Sequence, residues 1–205
     1  MPHRASRVSL SLCLVSMLTS LTVNALPAAA AQVAPAAQCP AVALTQPFLK
    51  WGDSSSYELV AGGSFEGSPP EWTLGSSVQK VAGSESYGVT GVVGSSSLSL
   101  PAGSTAQSPF TCVDSRFRTF RFFARTTGTT SKLLVHVTYQ TPIGLVSVPV
   151  GIVTATNGWQ PTPVMPTGAQ IAGQLLGGTA QMALTFTAVT GNSVIDDVFV
   201  DPRMR

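Results

Sequence analysis

From Tyr57 onward the chain is a succession of short runs of β-branched, aromatic and aliphatic residues broken by Gly, Ser, Pro and Thr, and this rhythm leaves few folds open. In the run 132–140, Leu133, Val135, Val137 and Tyr139 share one parity, and Lys132, Leu134, His136, Thr138 and Gln140 share the other. Side chains alternate between the two faces of a strand, so one face belongs to a core and the other is largely polar, as in an antiparallel sheet wetted on one side. The run 119–125 alternates in the same way, with Phe120, Phe122 and Ala124 opposed to Arg121, Phe123 and Arg125. A helix needs apolar residues at three-to-four spacing over several turns, and only 169–176 hints at one before Gly177 and Gly178 end it.

The rhythm predicts strands at 57–60, 63–66, 72–73, 78–81, 97–100, 107–113, 119–125, 132–140, 146–153, 181–188 and 193–200. Pro142-Ile143-Gly144 reads as the tight connection of a hairpin. Many short strands with turn signals between them point to an all-β fold, an antiparallel two-sheet β-sandwich.

Ahead of this region His3, Arg4 and Arg7 precede an uncharged stretch from Val8 to Val23, and Ala28 to Ala31 follow Pro27. That is the pattern of a cleavable export signal, with cleavage after Ala31 and with Ala25 and Ala37 as alternative ends. An uncleaved anchor is the other reading, but serines and threonines dilute the stretch and nothing basic follows it. The expected organisation is a signal peptide at 1–31, a flexible lead-in at 32–47, and one β-sandwich domain at 48–205 with no membrane span in the mature chain.

Beyond residue 31 nine Lys and Arg face nine Asp and Glu, which argues against nucleic acid, whose binding draws on a cationic surplus. The arginines at 116, 118, 121 and 125 are locally dense, but alternation divides them between parities, and ion-paired roles are expected. Cys13 leaves with the signal, so Cys39 and Cys112 remain. In an exported protein they most simply form one disulfide, with free thiols or an intermolecular bridge as alternatives.

Gly62-Gly-Ser-Phe-Glu66 with Trp72 after it, then Leu98-Ser-Leu100, then Ser193-Val-Ile-Asp-Asp-Val198 occur in an order that resembles the galactose-binding-like jelly roll of many secreted carbohydrate-binding modules. Trp51-Gly-Asp53, Phe122-Phe-Ala-Arg125, Trp159-Gln-Pro161 and Asp201-Pro202 also resemble a group of secreted actinobacterial proteins. The first resemblance implies a jelly-roll sandwich and a structural calcium between the first and last strands. Its matching carboxylates are Glu66 and Asp197, with Asp196 as the alternative, and backbone carbonyls complete the oxygen cage. The other reading of these carboxylates is hydrogen bonding or pairing with an arginine.

Sugar rings offer apolar C–H faces and many hydroxyls, so a sugar site needs an aromatic platform beside polar side chains. Trp159 and Tyr87, flanked by Gly, Asn and Ser, are the candidate platforms, with Gln160, Asn157 and Arg125 as polar neighbours, whereas Trp72 and Tyr139 are assigned to the core. His136 is the one histidine beyond the signal and falls mid-strand, and no nucleophile elbow, phosphate loop or His-Glu-x-x-His motif occurs. The expected function is a non-catalytic secreted module that binds a carbohydrate or cell-envelope glycan. The alternative is an extracellular structural or protein-interaction domain, and a hydrolase is third.

Overall fold

A computed structural model describes residues 39–67 and 72–202. The expected signal at 1–31 lies outside the described residues, as do the start of the lead-in, Glu71, Arg203 and Arg205. The described strands are β1 (Glu58–Leu59), β2 (Thr73–Leu74), β3 (Gln79–Ala82), β4 (Ser96–Leu100), β5 (Thr105–Gln107), β6 (Thr111–Asp114), β7 (Thr119–Thr126), β8 (Ser131–Thr141), β9 (Gly144–Ala155), β10 (Gln160–Pro161), β11 (Met165–Pro166), β12 (Thr179–Thr190) and β13 (Ser193–Asp201). A 3-10 turn (Leu49–Trp51) and one helix, α1 (Ala169–Leu175), accompany them.

The strands form two antiparallel sheets, as the alternation predicts. One runs β10-β7-β13-β4-β3, with β1 also on β13 and β11 also on β7; the other runs β2-β5-β12-β8-β9, with β6 also on β12. Between them Phe120 and Phe122 of β7 are fully buried, as are Leu133, Val135 and Val137 of β8. Phe122 meets Phe186 of the opposite sheet edge-on at 5.0 Å, and Phe186 stacks on Trp72 at 6.0 Å. Each such side chain contributes about 1.5–3 kcal/mol by leaving water. The hairpin forms across Thr141 and Gly144, and α1 stands where the helical hint fell.

The opposite parity of β7 is also covered. Phe123 joins Phe48, Tyr57 and Phe199 in a second, smaller aromatic core on the outer face of the seven-stranded sheet. The 3-10 turn and the connection between β3 and β4 roof it, with Trp51 and Tyr87 packed at its margin. The pattern of 119–125 therefore marks two interiors, one on each face of a single strand.

Three local departures from the expected strands have physical causes. The run 107–113 divides at Ser108-Pro109, where proline brings no N–H and Ser108 Oγ accepts the N–H of Leu184 at 2.9 Å in place of a backbone acceptor. The segment 63–66 is a turn. The Gly63 N–H closes on the Val60 carbonyl at 2.7 Å, and a side chain there would lie 2.9 Å from that oxygen and 3.0 Å from the carbonyl of Val198. β10 and β11 are short edge segments carrying Pro161 and Pro166, residues that argue against a strand in any sequence reading.

The lead-in is attached to the sandwich from Cys39 onward. Cys39 is bonded to Cys112 of β6, with Cα atoms 5.6 Å apart, and its N–H donates to Asp114 Oδ2 at 3.2 Å. Thr45 and Tyr57 then exchange backbone hydrogen bonds of 2.9 and 2.7 Å. The lead-in is thus tied to the sandwich at two points, Cys39 and Thr45.

Candidate functional site

The outer aromatic core surfaces in a patch of three rings. Trp51 meets Tyr87 edge-on at 4.8 Å, and the Tyr87 hydroxyl donates to the Trp159 carbonyl at 3.0 Å. All three residues are half-buried, so each is fixed from below by the core and keeps surface toward solvent. Two cations border them: Lys50 Nζ lies 4.6 Å from the Tyr87 ring centre, and the Arg125 guanidinium lies 5.1 Å from that of Trp159. Arg125 Nε is buried and has no hydrogen-bond partner.

The sequence-selected pair Tyr87 and Trp159 therefore meets, although the residues lie 72 positions apart. Arg125 joins them directly. Gln160 follows Trp159 and pairs with Ala124 of β7, while Asn157 lies on the connection from β9 to β10; both are exposed. Lys50 and Trp51 complete the patch, although the local sequence marks neither as part of a sugar site. Their neighbours arrive from the β3–β4 connection and from β7, so only the tertiary fold brings them together.

The connection carrying Tyr87 is held by carboxylates. Asp196 Oδ2 accepts from Ser84 Oγ at 2.7 Å and from the Glu85 N–H at 2.8 Å. Glu85, fully buried, accepts the N–H of Tyr87 at 2.5 Å and of Val89 at 3.1 Å. Glu66 closes the far end, accepting the N–H groups of Ser95 and Ser96 at 2.7 and 2.9 Å and the Ser95 hydroxyl at 2.8 Å. Glu85 escapes a sequence reading because one carboxylate in a Ser/Gly-rich segment resembles any solvated loop residue.

Asp197 sits at an interruption of β13. Its φ of 46° is in the left-handed region, and the pairing of β13 with β7 shifts register between Asp196 and Phe199. Val198 instead exchanges hydrogen bonds with the 60–63 turn, accepting from Val60 at 2.9 Å and donating to Gly63 at 3.1 Å. Burial, with Asp196, Glu85 and Glu66 as negative neighbours, pushes the Asp197 carboxyl up to about 8. Burial also raises Asp196 to about 6, against the hydrogen bonds it accepts. Burial acts on Glu66 as well, but its bonds from Ser95 and Ser96 outweigh that and hold it below its usual value.

The two carboxylates expected to hold calcium, Glu66 and Asp197, and the alternative Asp196 thus fall in one electrostatic neighbourhood, with Glu85 as a fourth member. Of these, Asp196 and Asp197 are the two that burial and neighbouring negative charge push toward protonation, and neighbouring carboxylates of that kind suit a hard, oxygen-seeking cation. Among the described residues, however, no three Asp, Glu, His or Cys side chains are gathered to hold a metal by themselves. Backbone carbonyls would have to complete any coordination.

Two of the remaining arginines are ion-paired. Arg116 pairs with Asp114 at 2.6 Å and Arg121 with Asp53 at 2.9 Å. His136 lies half-buried in mid-β8, opposite Thr185 and Pro149. Trp72 and Tyr139 are buried in the main core, and Trp72 donates its indole N–H to the Ala61 carbonyl at 2.9 Å.

No protein-family model matches the chain, and no curated protein does. Among solved structures, the family 22 carbohydrate-binding and catalytic modules of Clostridium thermocellum endo-1,4-beta-D-xylanase 10B, complexed with xylohexaose, are similar at 15% identity and a TM-score of 0.49 over 71% of this chain. The family 22 xylan-binding domain of Paenibacillus barcinonensis Xyn10C is similar at 12% identity and a TM-score of 0.44 over 68% of this chain. TmCBM61 in complex with beta-1,4-galactotriose is similar at 14% identity and a TM-score of 0.41 over 69% of it. This chain spans 28% of the first of these proteins, 97% of the second and 96% of the third. Likeness at this level concerns the fold alone.

Proposed function

We propose that the domain is an exported, non-catalytic module that binds a carbohydrate, such as a cell-envelope glycan, on the Trp51–Tyr87–Trp159 patch. The observation that carries this reading is the contact of Tyr87 with Trp159, beside Arg125 and Lys50. Rings held from beneath give a sugar's C–H face a surface that needs no ordering on binding, and the neighbouring cations and amides supply donors for hydroxyls. Affinity electrophoresis in gels cast with single polysaccharides tests it. A retarding glycan should be found, and Trp159→Ala should weaken retardation about tenfold, the equivalent of ~1.4 kcal/mol, with Tyr87→Ala acting in the same direction. If no polysaccharide retards the protein and a protein partner is recovered instead, the interaction-domain reading takes its place.

A structural calcium ion at the Glu66–Asp197 corner belongs to the same proposal, with Asp196 as the alternative to Asp197 and backbone carbonyls completing the coordination. Bound there, the ion would supply positive charge, and the chain's own part is to hold the connection that presents Tyr87. The sign of the pH dependence makes this testable. Asp197 and Asp196 have raised values in the folded state, so without metal their contribution to stability is complete below about pH 4 and is lost as pH rises through 6 to 8. Asp53, Asp114 and Glu66 are lowered, so theirs is lost as pH falls below about 4.

In chelator, the chain should therefore be most stable in mild acid and lose stability toward pH 8. Calcium should abolish the loss by keeping Asp197 ionised. Asp197→Asn should flatten the curve in chelator and remove the response to calcium, because asparagine tolerates the left-handed backbone without the charge. Melting curves at pH 5 and pH 8 decide the matter, and identical curves with calcium and with chelator would remove the ion from the account.

A further inference from the structure

The inner faces of the two sheets do not end together. In β9, Val146 and Val148 stand opposite Tyr139 and Val137, so they point to the same side as the main core. Yet they are 41% and 47% exposed, because β10 and β11, the last strands on that side of the facing sheet, are two residues each and do not reach across. The sandwich interior opens here into a cleft of about 560 Å³, within the range of small-molecule sites. The far wall is α1, anchored by buried Ala169 and Gly173 and presenting Ile171 and Leu175, which are 62% and 79% exposed.

The lining contains no charged residue. Its side-chain hydroxyls are already bonded within the protein. Tyr139 donates to the Thr167 carbonyl at 2.7 Å, Thr167 Oγ1 donates to the Phe117 carbonyl, and Thr141 Oγ1 donates to the Gly144 carbonyl at 2.7 Å. Burial pushes the Tyr139 hydroxyl up to about 12, so it stays neutral. A sugar entering this cleft would lose water and find no free side-chain donor, whereas a hydrocarbon would cover surface worth about 25 cal/mol for each Å² removed from water.

We propose that this cleft is a second binding site, separate from the aromatic patch, that takes the long acyl chain of a monomeric fatty-acid-type amphiphile and leaves its polar head in water. The concavity favours one flexible chain over a flat protein surface, and the absence of a cation in the lining places the head outside. The site adds a lipid-binding capacity to the domain and does not depend on the glycan reading.

cis-Parinaric acid, a fatty acid whose fluorescence rises in apolar surroundings, is titrated into the purified protein below its micellar concentration. Saturable enhancement is expected, with displacement by palmitate and none by butyrate. Val148→Asp, at a part-exposed edge position, should weaken uptake at least about tenfold with the melting temperature nearly unchanged. Leu175→Asp, on the opposite wall, should do the same, so the result does not hang on one variant. Failure to saturate, or equal uptake by both variants, overturns the proposal. So does a concentration-dependent dimer that both variants dissociate and that takes up no probe, because a second copy would then cover the cleft. The Trp159→Ala protein keeps its probe binding if the two sites are separate.

Discussion

Asp53→Ala is expected to destabilise the domain by about 3–5 kcal/mol, because it leaves a guanidinium without its counter-charge in a largely apolar setting. Arg121 Nη1 lies 2.9 Å from Asp53 Oδ2, and the two side chains are 9% and 15% exposed. Arg121 also donates from Nε to the Thr162 carbonyl at 2.9 Å, and its guanidinium sits 4.4 Å from the ring centre of Phe48. Asp53 is the hub of this outer core: it also takes the Tyr57 hydroxyl at 2.7 Å and the Ser55 N–H at 3.1 Å. Burial opposes its charge, and the bonds from Tyr57, Ser55 and Arg121 prevail and keep it below the usual carboxylate value. Removing it leaves two buried donors unpaired at once.

Arg121→Met with Asp53→Ala should recover most of the loss, since an apolar side chain over Phe48 needs no counter-charge. Urea denaturation of the two variants checks both expectations. A loss below about 1 kcal/mol for Asp53→Ala would mean that water reaches the pair and screens it. The same core supports Trp51 and Tyr87, so Asp53→Ala should also weaken any ligand held on the patch. An intact patch on a destabilised core would show that the rings are fixed by Trp159 and the carboxylate-held connection alone.

The long strands were readable from the sequence because each buries one face and period-two alternation reports that directly. Lys132 to Gln140 shows it cleanly, and the observed strand extends it by one residue at either end. The failures occur where one residue's backbone decides the outcome. Gly63 looks like part of a strand by composition, but its pairing with Val198 requires a turn, and that requirement arises on β13. The short β10 and β11 form because β7 offers them an edge, and their prolines hide them.

The candidate site divides along the same line. Tyr87 and Trp159 could be chosen because each is a large ring in a polar, flexible neighbourhood, an anomaly visible locally. Trp51 and Lys50 carry no such mark, and Glu85 looks like a solvated residue until Asp196 is seen to grip its N–H. The open end of the sandwich was hidden for a related reason: Val146 and Val148 have the pattern of ordinary core positions. Only the shortness of the facing strands shows that the core stops before it reaches them.

Replacing both Cys39 and Cys112 by serine should cost about 4 kcal/mol and lower the melting temperature by roughly 8–16 °C for a domain of this size. The bridge joins residues 73 positions apart, so it restrains nearly half of the described chain when the protein unfolds. The folded state has its own hold on the same place: the Cys39 N–H and the Arg116 guanidinium both reach Asp114, and the Arg116 bonds are foremost in keeping that carboxylate lowered. These contacts, with the Thr45–Tyr57 pairing beyond them, should keep residues 39–47 in place without the disulfide. The loss is therefore expected to come from the unfolded chain, which gives the prediction a second readout. The denaturant m-value of the serine variant should rise, since an unbridged chain exposes more surface on unfolding. An unchanged m-value with the full loss of stability would instead place the effect in the folded state, at the junction of Cys39 with β6.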